Sequence, residues 1–363
     1  MKKTITILSA LIVMTLIQKA HAFSEMVRHN YPNCIACHES PSGGGLLTNY
    51  GRTISHSVLS TWGGEKEARP FYGALDNQYT KNWLNVGGDL RGLQLHTNSK
   101  KAMTGRFIRM QTGIEAAAKF FNFKIVSFFG KQETGNMVRG ESIRHYLMYQ
   151  PTDEITMRIG RFVPNFGLNI PEHTLATRRG LGFDQGTERD QYEAMWNGEK
   201  LNASFSVSQS VTNEFKKTKE KAFATQWNYT IFDSYRIGTN VWFGRDNKKS
   251  RQIYGVNAVL GFTDKFYYLS EFDYQANFDK KKGLFHFSKV GYEIVKGFHL
   301  LGLEEYRKSD LNDSQTLLNA HGIGAQWFPR PHFDFEAIWN KRRVAQQSHD
   351  YTDYAYLMVH YYF

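Results

Sequence analysis

The run Ile108-Arg109-Met110-Gln111-Thr112-Gly113-Ile114-Glu115-Ala116-Ala117-Ala118-Lys119-Phe120 decides the fold. Ile108, Met110, Thr112, Ile114, Ala116, Ala118 and Phe120 fall on one face of a period-two pattern. Arg109, Gln111, Gly113, Glu115 and Lys119 fall on the other. Such alternation places successive side chains on opposite faces of a strand. The run is long for a soluble sandwich strand. A charged stripe this regular suits the aqueous wall of a transmembrane barrel, whose other face meets lipid.

Working outward, sixteen such segments follow one another. They begin near Trp83, Phe107, Phe123, Ser142, Ile155, Gln191, Lys200 and Lys221, then near Ser234, Ser250, Lys265, Gly283, Gly297, Gln315, Pro331 and Tyr351. Short connections such as Asn122 and Lys296-Gly297 alternate with longer ones such as Asn98 to Gly105 and Thr212 to Lys219. Outer-membrane barrels have an even strand number, short periplasmic turns and longer outer loops. The expected fold is therefore all-β: an up-and-down antiparallel transmembrane barrel over residues 83–363, entered and left on the periplasmic side. At the C-terminus Ala355, Leu357, Val359, Tyr361 and Phe363 share one face. That apolar edge would be an aggregation hazard in water, and pairing with the first strand removes it. A terminal Phe after alternating apolar residues resembles the recognition signal of bacterial outer-membrane proteins.

Composition agrees. Aromatic residues make up 15% of the 363-residue chain, yet mean hydropathy is −0.50. An apolar outer wall around a polar lumen gives that combination. The net charge is +11. In an exported protein this points away from nucleic acid and towards anions in the lumen or the phosphates of lipopolysaccharide. Export is read from residues 1–22. Lys2 and Lys3 precede the apolar run Ile5 to Ile17, and Ala20-His21-Ala22 supplies a small-x-small cleavage site.

Residues 23–82 form a separate leader and linker. They hold the only two cysteines of the chain, in Cys34-Ile35-Ala36-Cys37-His38. Cys-x-x-Cys-His is the attachment signature of a c-type haem. Two thioethers fix the porphyrin edge and the adjacent histidine becomes the proximal iron ligand. One covalent haem c on Cys34, Cys37 and His38 is expected. A Cys34–Cys37 disulfide is the alternative in an oxidising compartment. For the sixth iron ligand the candidates are His56, His29, Met26 and Met103, with His56 preferred; a five-coordinate or water-ligated iron is also open. Pro32, Pro41 and Gly43-Gly44-Gly45 mark turns, and Ile54, Val58, Leu59 and Trp62 suggest one short helix from Arg52 to Trp62, stopped by Gly63-Gly64.

The longest connection, Asn165 to Asp190, is the third outer loop and carries Glu172, His173, Arg178, Arg179, Asp184, Glu188, Arg189 and Asp190. In porins this loop often folds inward, where mixed charges set a field for permeating solutes. Arg158 and Arg161 would add to that field. A solvated surface loop is the other reading.

One haem motif joined to a downstream porin-like barrel resembles the fused monoheme cytochrome–porins, whose best-known members are outer-membrane iron oxidases. The residues Pro32-Asn33-Cys34, Pro41-Ser42-Gly43-Gly44-Gly45 and Asn49-Tyr50-Gly51-Arg52 also look like haem leaders of outer-membrane proteins. The resemblance carries over residue by residue only at Cys34, Cys37 and His38. It implies electron transfer across or at the outer membrane, with periplasmic c-type cytochromes or an extracellular redox partner. The alternative is a porin or solute channel with the haem segment as structural plug or sensor. The haem segment itself would be periplasmic or inside the lumen. No hydrolytic or transferase constellation stands out.

Overall fold

The computed structural model describes residues 24–363 apart from 32, 74–82, 101, 134–138, 173–174, 212–218, 247–248 and 278–280. The export segment 1–22, the end of the linker and His173 lie outside the described residues.

Sixteen strands form the wall. The first eight are β1 Leu84–Asn98, β2 Met103–Phe120, β3 Phe123–Glu133, β4 Arg139–Tyr149, β5 Ile155–Phe162, β6 Arg189–Asn197, β7 Leu201–Ser210 and β8 Lys221–Ile231. The second eight are β9 Tyr235–Asp246, β10 Lys249–Gly261, β11 Phe266–Asn277, β12 Lys282–Val295, β13 Phe298–Lys308, β14 Leu317–Trp327, β15 Phe333–Val344 and β16 Thr352–Tyr362. Each pairs antiparallel with the next, and β16 returns to β1, from Asp89 opposite Tyr362 to Asn98 opposite Asp353, to close the barrel. Closure satisfies the ladder on both sides of every strand and leaves no edge. Every strand starts within four residues of its expected position.

The pleat sorts the side chains as the alternation requires. Ile114, Phe129, Ile159, Val256, Ile323 and Leu357 point outward and are exposed, whereas Glu115, Arg158, Glu193, Asn240, Asp273 and Lys289 point inward and are buried. This is the reverse of a soluble protein. No helix among the described residues is long and apolar enough to cross a membrane.

The opening run departs from its expected pattern at one place. Arg91 pairs with Gln111 and Gly92 with Arg109, so Met110 is an extra residue in β2. This bulge resets the alternation. Beyond it Ile108 and Met110 turn inward and pack with Met358, while Arg109 faces out. The expectation that Ile108 and Met110 meet lipid and Arg109 the lumen is corrected on that ground. Arg161 is corrected as well: it lies half-exposed on the outward face of β5, ion-paired with Asp190 at 2.8 Å, while Arg158 points inward.

Two segments fill the lumen. From the end where β1 begins and β16 ends (the inner end) comes the leader, residues 24–73. A 3-10 turn, Ser24–His29, is followed by the Cys-x-x-Cys-His turn and by helix α1, Asn49–Ile54, which continues as a π-type turn, Ser55–Leu59. Helix α1 starts three residues earlier than the apolar spacing suggests, because the Thr48 side chain caps it by accepting from Gly51 N. It stops before Trp62, which is exposed and instead stacks edge-on against Trp327. A second short helix, α2, spans Glu65–Ala68. From the outer end comes the third outer loop, residues 163–188.

Candidate functional site

The leader folds inside the barrel because the wall completes it. Its own apolar cluster is small, with Met26, Cys37, Ile54 and Leu59 closing on Phe328 of the β14–β15 turn. Val27 joins a second cluster with Val259, Tyr267 and Phe287 of the wall. Polar contacts finish the seating. Arg28 pairs with Glu293 at 2.9 Å, both nearly fully buried. Lys124 pairs with Glu39 at 2.8 Å. Arg52 donates to Asn85 Oδ1 at 2.9 Å and Val86 O at 3.1 Å. Ser55 and Tyr362 share a hydroxyl hydrogen bond of 2.7 Å. Arg158 donates to Glu193 and, through its two Nη groups, to Ser40 and Ser42 of the leader.

The third outer loop folds inward, as its charges suggested, and meets the leader. Phe166, Leu181 and Phe183 pack on Trp242 and Phe285 of the wall. Gly167 O accepts from Gln226, and Leu168 N donates to Glu271. Asn169 donates to Ser42 O, and Ser24 donates to Asn169 O. Arg178, Asp184 and Glu188 are buried, and so is Arg189 at the start of β6, whereas Asp190 is exposed. Burial holds the Arg178 guanidinium below its ordinary range, opposed by Glu271 and Asp184.

Between leader, loop and wall lies a cavity lined by His38, Gly43, Leu46, Leu59, Phe162 and Ile170, with Arg91, Arg144, Arg158 and Arg178 also on its surface. His38 and Cys37 sit in one tight turn, with Cys37 N and His38 N both donating to Cys34 O. His38 Nδ1 contacts Gly45 O at 3.4 Å. That contact selects the tautomer whose lone pair is on Nε2, which is how a metal-binding imidazole is oriented. The cysteines stand one layer behind the cavity. A Cβ at Gly43 would come within 3.2 Å of Cys34 Sγ, and Cys37 packs against Leu59. Both are free thiols, and burial pushes both upward in pKa. Two thiols, one oriented imidazole and partly apolar walls are the donor set and surroundings that a covalent haem needs. The cavity offers such a group His38 but neither thiol, since Cys34 and Cys37 do not line it. A covalent haem would be held by Cys34, Cys37 and His38.

The candidate sixth ligands separate clearly. Met103 is exposed at the outer end of β2, remote from the inner end. His56 is half-buried, is not among the residues lining the cavity, and lies near the inner rim, where its carbonyl accepts from Lys296. Met26 is fully buried in the same cluster as Cys37. His29 is half-buried beside Arg28, and burial first and then Arg28 lower its pKa to about 4. The structure thus does not bring the preferred pair, His38 and His56, to one cavity. It brings His360 of β16 there instead, with Nε2 on Asp89 at 2.8 Å. In the sequence His360 reads only as one inward position of the last strand, and nothing in its spacing marks it.

No protein-family model matches the chain, and no curated protein matches it. Solved structures do. The outer membrane channel DcaP of Acinetobacter baumannii matches with a TM-score of 0.57 at 14% identity, covering 77% of this chain and 97% of that one. The anion-selective porin from Comamonas acidovorans gives 0.58 at 8% identity over 77% and 99%. OprB of Pseudomonas putida, in its high-pH structure, gives 0.62 at 8% identity over 85% and 99%. At such identities the likeness carries the fold alone, and says nothing of haem: the chain is an all-β, closed, antiparallel barrel similar to outer-membrane porins and channels.

Proposed function

We propose that this protein is a porin-type barrel of the outer membrane whose lumen is stoppered from the inner end by its own leader, and that the leader carries one covalent c-type haem on Cys34, Cys37 and His38. The single observation behind this reading is the seating of residues 24–73 inside the wall, with buried pairs such as Arg28–Glu293 fastening it. The closely packed third outer loop adds a second constriction. Passage is then left to small solutes, and the arginines lining the cavity favour anions.

The haem would supply reversible one-electron chemistry when bound. What the chain does is define its surroundings: His38 is oriented by Gly45 O, and Leu46, Leu59 and Phe162 limit water at the cavity. Electron transfer is the second reading, favoured by the position of His38 within the lumen. A haem hanging below the barrel would face the full apolar band of ~25 Å.

Two measurements test the proposal on purified full-length protein. Denaturing gels stained for haem should show covalent haem in the wild type and none in Cys34→Ala/Cys37→Ala; an unstained wild type sinks the haem assignment. Planar bilayers should show small, anion-preferring currents that rise when Arg28 and Arg52 are both replaced by Ala. A large open-channel current in the wild type sinks the plug.

A further inference from the structure

The leader does not stay wholly inside the lumen. At the inner rim Thr61 N and Trp62 N donate to Phe328 O and Pro329 O of the β14–β15 turn, and Thr61 Oγ1 accepts from Trp327 Nε1 at 3.2 Å. Gly63 carries the chain across the rim. Its φ is +113°, and a Cβ there would stand 2.5 Å from Pro331 Cδ. Helix α2 is then fastened to the same turn. Arg330 donates to both carboxylate oxygens of Glu67, at 2.8 and 2.9 Å, and Glu67 O accepts from His332 Nε2 at 2.6 Å.

After α2 two successive residues, Phe71 and Tyr72, have left-handed backbone, with φ of 50° and 57°. Bulky side chains rarely allow that conformation, so outside contacts must hold it. Those contacts are aromatic. Trp327, Phe333, Phe335 and Tyr361 face outward at the inner ends of β14, β15 and β16, because their sequence neighbours Gln326, Asp334, Glu336 and His360 point inward and are buried. Ring centroids run from Trp62 to Trp327 at 5.7 Å, on to Phe335 at 6.1 Å and to Phe333 at 6.4 Å. They continue to Tyr361 at 5.1 Å, to the terminal Phe363 at 5.6 Å and to Phe71 at 4.7 Å. Tyr72 leans on the same arc through His332, 5.5 Å away. Leader residues thus begin and end an aromatic arc whose middle belongs to the outer side of the wall. Trp62, Phe71 and Tyr72 nevertheless remain exposed.

Exposed rings in that place have a use. A girdle of aromatic residues marks each membrane interface of a barrel, where a ring has apolar chains on one side and polar groups on the other. Lys66, exposed on α2, adds a cation that can meet lipid phosphate. Resting on the outer-membrane reading above, we propose that residues 62–73 dock on phospholipid of the inner leaflet, with Trp62, Phe71 and Tyr72 at the boundary between headgroups and acyl chains. The plug is then held from two sides: by the lumen, through pairs such as Arg28–Glu293, and by the bilayer, through the arc.

The test uses full-length protein in nanodiscs of phosphatidylethanolamine and phosphatidylglycerol. The photo-cross-linking residue p-benzoylphenylalanine replaces Phe71, Tyr72, Phe335 or Tyr362, one at a time. After illumination, mass spectrometry should find phospholipid adducts at Phe71, Tyr72 and Phe335. It should find none at Tyr362, which meets Ser55 on the lumen side. An adduct at Phe335 but none at Phe71 and Tyr72 would overturn the anchor and leave the membrane reading standing. No lipid adduct at any position would remove the membrane reading, and the anchor with it. Protein adducts in place of lipid at Phe71 and Tyr72 would overturn the anchor in favour of a protein partner. Equal lipid capture at Tyr362 would overturn it too, since capture would then not depend on the side of the wall. A second measurement needs no cross-linker. Brominated phospholipid should quench the tryptophan fluorescence of wild type more than that of Trp62→Phe, and equal quenching would overturn the anchor.

Discussion

The leader and the third outer loop fill one lumen from opposite ends, but different forces hold them. The loop is fastened by an aromatic core in which Phe166, Phe183 and Trp242 are almost completely buried. The leader spreads its buried apolar residues, none of them a buried aromatic, over a longer segment and adds directional contacts: Arg28–Glu293, Glu39–Lys124, Arg52 on Asn85 and Ser55 on Tyr362. Apolar packing is indifferent to pH and tolerates small shifts, whereas a buried ion pair fails abruptly when one partner goes. The loop, fastened to the wall by its aromatic core and by the buried Glu172–Lys289 pair, combines both kinds of contact. The leader is a keyed insert, released by breaking a few bonds.

Four changes probe that contrast, in descending size. Arg28→Ala strands buried Glu293 without its partner and strips a cation from the Tyr267 ring. About 5 kcal/mol of leader docking should be lost; limited proteolysis should then cleave the leader while the barrel stays resistant, and an uncleaved leader would equate the two regions. Phe183→Ala should cost roughly 3–4 kcal/mol from the cavity it leaves. It should lower the thermal midpoint and raise conductance without exposing the leader. Gly51→Ala should cost about 1–3 kcal/mol, because its Cβ would overlap Cys37 O. Its signature is faster hydrogen exchange in the Cys34–His38 turn with the barrel unaltered; unchanged exchange would show the turn to be adaptable.

The smallest effect is acid loosening of the leader alone. Burial keeps the folded pKa of His29 at about 4 against 6.5 for an exposed histidine. The unfolded leader therefore binds the proton first. Docking is fully stable above 6.5 and weakens as pH falls from there towards 4, where the penalty levels off. His29→Gln should flatten that slope in hydrogen exchange of the leader, and an unaltered slope would assign it to other groups.

The wall was legible in the sequence because its rule is local. Sixteen segments of alternating character gave sixteen strands, and Ala355 to Phe363 gave the closing seam. The bulge at Met110 was hidden, since a single inserted residue leaves the composition of both faces plausible while exchanging them. The inward turn of the third loop could be anticipated from its length and mixed charges. For the leader the sequence left the periplasm and the lumen both open; its fastening could not be read, because the partners of Arg28, Glu39 and Arg52 lie on β12, β3 and β1. The Cys-x-x-Cys-His spacing is plain at Cys34, Cys37 and His38, yet the cavity that His38 lines draws on residues separated by hundreds of positions, so Arg144 and His360 carried no local mark.

The seam between β1 and β16 has a consequence for assembly. Gly88 exchanges both backbone hydrogen bonds with Phe363. Directly beneath, Leu46 occupies the space that a Cβ on Gly87 would take, Arg52 binds Val86 O, and Ser55 reaches Tyr362. These contacts join the first fifth of the chain to its last residues, the slowest kind of contact to form by diffusion. By lying across both partners, the leader bonds to each side of the closing seam, so its docking and the closure of the barrel are thermodynamically coupled.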